Sequence, residues 1–127
     1  MLREPMRAPA FQTETAPVPG VSGASALRVR GRVRHLEATP LRRVLLDWIG
    51  SAEEPRLVIE LGQVEDMDTS GAAVLVEALL AGRERGKRVL LCSPSESVLR
   101  LFRLAGFEDA LRACCPTVAE ARLRLSE

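Results

Sequence analysis

Leu57-Val58-Ile59-Glu60-Leu61, then Gly62, then Asp66-Met67-Asp68-Thr69-Ser70-Gly71-Ala72-Ala73: how this stretch is read decides the fold. The first five residues form a short apolar, β-branched run of the kind that fills a buried strand. Gly62 interrupts it, and the polar, acidic residues that follow read as a loop. From Gly71 the apolar positions are Ala72, Leu75, Val76, Leu79 and Leu80, a helical spacing that runs to Gly86. Asp68, Thr69 and Ser70 therefore fall where a strand-to-helix loop meets a helix N-terminus, beside backbone N–H groups that lack helical partners. A cap needs only one Ser, Thr or Asp. Three in a row followed by Gly71-Ala72-Ala73 mark Asp68–Ala73 as the candidate functional loop.

Upstream, residues 1–24 hold Pro5, Pro9, Pro17 and Pro19 among Ser, Thr, Gly and Ala, and read as a mostly flexible tail with an edge strand near 10–16. The folded domain is expected over residues 25–125. Leu27, Val29 and Val33 alternate with Arg28 and Arg30, so a strand with one apolar face is expected there, and Gly31 marks a bulge or a close backbone approach. Thr39 as N-cap with Pro40 at the first helical position predicts a helix ending at Gly50, with Leu41, Val44, Leu45, Trp48 and Ile49 on its core side. Downstream come a strand at Val89–Cys92, a helix capped by Ser95 and ended by Gly106, a short strand around Leu111–Cys115, and a last helix opened by Thr117-Val118-Ala119-Glu120. The order β-β-α-β-α-β-α-β-α implies an α/β fold. It would have a mixed sheet of about five strands, an antiparallel N-terminal hairpin followed by parallel strands, and about four helices.

Composition excludes several functions. At 127 residues and 46% hydrophobic content the chain supports one globular core. A formal charge of +1 supplies no overall pull toward nucleic acid, and 3% aromatic residues without Tyr argue against base stacking, so no direct nucleic-acid partner is expected. No apolar run approaches the roughly 20 residues of a membrane span, and the first residues lack a secretory h-region, so a cytoplasmic location is expected. Cys92, Cys114 and Cys115 with a single His35 match no metal-ligand spacing, so neither a metal nor another cofactor is expected. A redox role for Cys92 with Cys114 or Cys115 would require strands four and five to lie side by side.

Catalytic motifs fail on inspection, so no catalytic residue is assigned and a non-enzymatic role is expected. Gly82-Arg83-Glu84-Arg85-Gly86-Lys87 is one residue short of a phosphate-binding loop, and it follows a helix where such a loop precedes one. Asp68-Thr69-Ser70 has Ser where an aspartic protease needs Gly. A Ser70 nucleophile would have only His35 as a base and lacks the Gly-x-Ser-x-Gly elbow.

Element order, loop position and the run Met67-Asp68-Thr69-Ser70-Gly71 together resemble the STAS family, the domain shared by sulfate transporters and anti-sigma factor antagonists. The helix ending in Arg85-Gly86-Lys87 and the segment Val98–Phe107 add to the likeness, which covers roughly residues 10–125. Within the family the chain is most similar to the stand-alone antagonists. That resemblance implies phosphorylation at Ser70 by an anti-sigma factor serine kinase, with a phosphatase to reverse it, in partner switching of transcription. It also implies partner contacts through Asp68, Thr69, Gly71, Ala72 and Ala73. Arg32 and Arg34 stand where many antagonists carry carboxylates, on a loop expected beside Ser70, and are expected to bear on partner choice. The alternative is a STAS accessory subunit of a membrane transporter, of the lipid ABC or anion type.

Overall fold

The computed structural model describes residues 10–126, so residues 1–9 of the expected tail lie outside the described residues. Five strands form one sheet in the order β1-β2-β3-β4-β5. β1 (Phe11–Pro17) and β2 (Ala24–Val33) are antiparallel, and the pairs β2–β3 (Arg56–Met67), β3–β4 (Arg88–Cys92) and β4–β5 (Cys114–Cys115) are parallel. The expected mixed α/β sheet with its antiparallel opening is present. The edge strand is part of it: residues 11–17 pair throughout with β2, which brings that piece of the expected tail into the domain.

Strand alternation sorts the core onto two faces. Leu27, Val29, Leu57, Ile59, Leu61, Val89 and Leu91 face one way and pack against Leu41, Leu45 and Ile49 of α1 (His35–Ser51) and Leu75, Ala78 and Leu79 of α2 (Thr69–Glu84). Val98 and Phe102 of α3 (Glu96–Ala105) and Ala110 of α4 (Glu108–Ala113) complete that layer. The other face carries Ala26, Val58, Leu90, Cys92 and Cys115 under Ala121 and Leu125 of α5 (Val118–Leu125).

Three local readings are corrected. β3 does not end at Gly62; it continues to Met67, and beyond Glu60 its ladder partners are on β2 alone. With one neighbouring strand instead of two, Gln63 and Glu65 keep exposed polar side chains and Val64 alone of this piece is buried, so the apolar signal thins before the strand ends. α1 starts at His35, with Arg34 at the N-cap position and Pro40 inside the helix. Arginine has no side-chain acceptor for the first amides, and the acceptor comes from Asp68 on the next strand–helix junction, which no local pattern records. The segment expected as a strand around Leu111–Cys115 is helix α4 followed by a two-residue β5, giving five helices where about four were expected. Left-handed Gly106 ends α3, Phe107 N–H closes back on Phe102 O at 2.9 Å, and the chain re-enters a helix with Glu108 and Asp109 in its first turn.

Gly31 is the bulge the sequence suggests. Its φ is +102°, the β2–β3 register shifts on either side of it, and a Cβ there would collide with the carbonyl oxygen of Ala10.

Candidate functional site

The parallel pairing of β2 and β3 ends with Val33 opposite Met67. The residues that follow each strand therefore emerge together at one edge of the sheet: Arg34 and His35 from β2, Asp68, Thr69 and Ser70 from β3. Open α/β sheets place binding sites at such carboxyl ends. Here the edge is a shallow cleft of about 440 Å³ bordered by Arg32, Arg34, His35, Leu36, Glu37 and Asp68.

Asp68 organises it. One carboxylate oxygen, Oδ1, accepts from the backbone N–H of Gly71 at 3.1 Å, an ordinary N-cap contact for α2. The other, Oδ2, accepts from the backbone N–H of His35 at 2.9 Å and so serves the first turn of α1 as well. Asp68 N–H donates to Val33 O at 3.3 Å, which stitches the loop to the end of β2. The carboxylate also lies at the positive ends of two helix dipoles, where an anion is favoured.

Of the residues expected to meet a partner, Thr69 is exposed and Ser70 and Ala73 are half-buried. Gly71 and Ala72 are buried, and their smallness serves the chain itself: a Cβ on Gly71 would collide with Val33 O and lie 2.9 Å from Val33 Cγ1. Arg32 and Arg34 are exposed and do border the loop. Arg34 Nη1 pairs with Asp66 Oδ2 at 2.7 Å. That hydrogen bond first, then the charges of Asp66, Asp68 and Glu37, push the Arg34 guanidinium further above its ordinary range, so it is a permanent cation. Arg32 has no ion-pair partner among the described residues, although its Cα is paired with that of Asp66 across the strands.

Two residues of this surface carry no local signal in the sequence. His35 Nδ1 lies 3.4 Å from Ser70 Oγ, a hydrogen-bonding contact across 35 positions of chain. Leu36, next to it, is 84% exposed, an apolar side chain held out beside the loop. The signal that would have found both is topological: residues just past two neighbouring parallel strands must be neighbours. Asp68 is engaged by the main-chain amide of His35 and not by its imidazole, so the three residues do not form a Ser-His-Asp chain of hydrogen bonds. Lys87, from the loop-like run 82–87, donates through Nζ to Ile49 O at 2.9 Å and to Ala52 O, closing the C-terminal end of α1. No group of three or more His, Cys, Asp or Glu capable of holding a metal occurs among the described residues.

The cysteines sit away from this edge. Cys92 and Cys115 are register partners on β4 and β5, both buried, and all three thiols are free. Burial, followed by the charge of Cys115, pushes the Cys114 thiol up to about 11, and burial also raises Cys92 and Cys115.

Comparison with known proteins agrees with this architecture. Sulfate transporter 1.2 of Arabidopsis thaliana is 27% identical over 122 residues, 78% of this chain, and the chain spans 19% of the length of that transporter. An anti-sigma factor antagonist from Mycobacterium paratuberculosis superposes with a TM-score of 0.74 at 21% identity, covering 96% of this chain and 100% of that one. The Bacillus cell fate determinant SpoIIAA in its phosphorylated form superposes with a TM-score of 0.59 at 18% identity, over 84% of this chain and 89% of that one. At these identities the two superpositions speak to the fold. The STAS domain model matches residues 15–121, from the edge strand into the last helix, and this chain belongs to the STAS domain family.

Proposed function

We propose that the chain is an anti-sigma factor antagonist that works by partner switching. It docks an anti-sigma factor through the sheet edge where Thr69, Ser70, His35 and Leu36 come together, and a serine kinase activity of that partner modifies Ser70. Transfer forms the Ser70 Oγ–P bond and breaks the bond from the γ-phosphorus of ATP to ADP; a phosphatase would reverse the state. The observation that carries this reading is the position of Ser70: a half-buried hydroxyl in the first turn of α2, beside exposed Thr69 and Leu36. Membership of the STAS family and a fold shared with SpoIIAA in its phosphorylated form support it.

A phosphate at Ser70 adds about −1.5 to −2 charge. The N-terminus of α2 favours the anion by about 0.3–1 kcal/mol when exposed. Asp66 and Asp68 oppose it, and a dianion enclosed in a protein interface loses hydration worth several kcal/mol. The interface term is the largest, so modification weakens docking and leaves the fold intact.

The test is affinity purification from the native cell, with mass spectrometry of partners and of Ser70. A kinase-like anti-sigma factor and phosphate on Ser70 are expected. Ser70→Ala should bind that partner constitutively and Ser70→Asp at least several-fold more weakly. Phosphate on Thr69 alone would overturn the site. The similarity to sulfate transporter 1.2 favours a second reading, a STAS subunit acting on a permease; recovery of a permease without phosphate on Ser70 would support that one.

A further inference from the structure

If Ser70 is phosphorylated, its phosphate needs a counter-charge within the domain, because Asp68 stays beside it with both oxygens committed to the amides of His35 and Gly71. From the sequence, Arg32 and Arg34 are the natural receivers. The geometry favours a different group. The Arg34 guanidinium is already held by Asp66 at 2.7 Å, and neither arginine makes a hydrogen bond to Ser70. Among the described residues, the one side chain in hydrogen-bonding contact with the Ser70 hydroxyl is His35, Nδ1 to Oγ at 3.4 Å. Imidazole changes charge near neutrality, and so does the second ionisation of a serine phosphate.

We propose that His35 holds the phosphate of modified Ser70: the protonated imidazole donates from Nδ1 to a phosphate oxygen, tying the first turn of α2 to the first residue of α1. This rests on the reading of Ser70 as the phosphoacceptor. The imidazole is exposed, so it can turn outward by the length of a phosphoryl group without repacking the core. A charge-assisted bond of this kind is about twice as strong as a neutral one. The charged groups around the pair are Arg32 on β2, Arg34 and Glu37 at the start of α1, Asp66 at the end of β3 and Asp68 at the cap of α2. Arg34 and Asp66 neutralise one another, and Arg32 adds a cation at the border of the cleft. Asp68 and Glu37 oppose the phosphate, and that makes a cation in direct contact decisive. The consequence is that the switch acts on two helices: modification fixes His35, and with it the backbone that presents Leu36, the exposed apolar residue of the docking edge.

The test uses the full chain with phosphoserine placed at position 70 during translation, so that no kinase is needed, and follows the phosphate by phosphorus NMR from pH 4 to 8. The phosphate is expected to lose its second proton about 0.5 pH unit or more lower with His35 present than in His35→Gln, which keeps a donor and removes the charge. Arg32→Gln should shift the titration less. Identical titrations for the parent and His35→Gln would overturn the inference, as would a shift produced by Arg32→Gln or Arg34→Gln but not by His35→Gln. Circular dichroism of each variant separates a lost contact from a lost fold. Because the phosphate is installed without a kinase, these outcomes judge His35 alone; a cell in which Ser70 is never modified would instead overturn the reading of Ser70.

Discussion

The carboxylate of Asp68 accepts the backbone N–H of His35 at 2.9 Å, so a residue that caps α2 also terminates the amide ladder of α1, 33 residues away in the chain. This ties two helices and the ends of two parallel strands at one point, and Ser70 stands on that point. Removing the acceptor leaves two helix-start amides without it. Asp68→Ala is expected to lower stability by about 1–3 kcal/mol, more than a single cap would cost, and Asp68→Asn by less. Urea unfolding of the three proteins measures it; an Ala variant as stable as the parent would show that water replaces both bonds without loss.

Gly71→Ala sets two effects against each other. Replacing a helical Gly by Ala gains about 0.5–1 kcal/mol of backbone entropy and propensity. The added Cβ would collide with Val33 O, a backbone atom of β2 that cannot swing away, and such overpacking costs about 1–3 kcal/mol. The clash is expected to win, with a net fall in the urea midpoint. A rise would mean that α2 slides off β2 at little cost.

The arginines bordering the loop make different predictions. Arg32 has no ion-pair partner among the described residues, whereas Arg34 is joined to Asp66. Arg32→Glu should therefore change the association rate with the docking partner several-fold at low salt and much less at high salt, because exposed charges are screened beyond about 8 Å at physiological ionic strength. Arg34→Glu should do the same and also lower thermal stability, since it sets a new carboxylate against Asp66, Asp68 and Glu37. Stopped-flow binding across a salt series, with melting curves, distinguishes the two. An association rate indifferent to both mutation and salt would leave the arginines as a solvated edge.

The thiols predict a loss of stability in alkali. The folded-state pKa of Cys114 is raised from an ordinary 9.0 to about 11, chiefly by burial, and its Sγ donates to Ala110 O at 3.1 Å only while protonated. Between those values the folded chain keeps a proton that the unfolded chain has lost, so stability falls as pH rises from 9 toward 11 and the loss is complete above the folded value. Urea midpoints measured from pH 7 to 11 should decline over that window, and Cys114→Ala should decline less. Native thiols should also react with iodoacetamide far more slowly than those of the unfolded chain.

The chain of local signals carried most of the architecture. Leu57–Leu61 is a buried stretch of strand because four of its five side chains are apolar, Leu57, Ile59 and Leu61 on one face and Val58 on the other; Ser95 and Thr117 each accept an amide three residues on, and Gly106 ends its helix in the left-handed conformation. The stretch Asp68–Ala73 marked the start of α2 because capping chemistry is written within four residues of sequence. Other features depended on contacts far apart in the chain. The continuation of β3 through Gln63–Met67 depends on β2 alone beside it, the start of α1 at His35 depends on a carboxylate at Asp68, and β5 shrinks to two residues because only Leu91 and Cys92 face it. The same holds at the site: Ser70 was legible as a hydroxyl at a helix start, whereas its contact with His35 and the outward placement of Leu36 exist only because parallel pairing brings the ends of β2 and β3 to one edge. Periodicity and caps are set by a residue's near neighbours along the chain, and the company a side chain keeps is set by strand register.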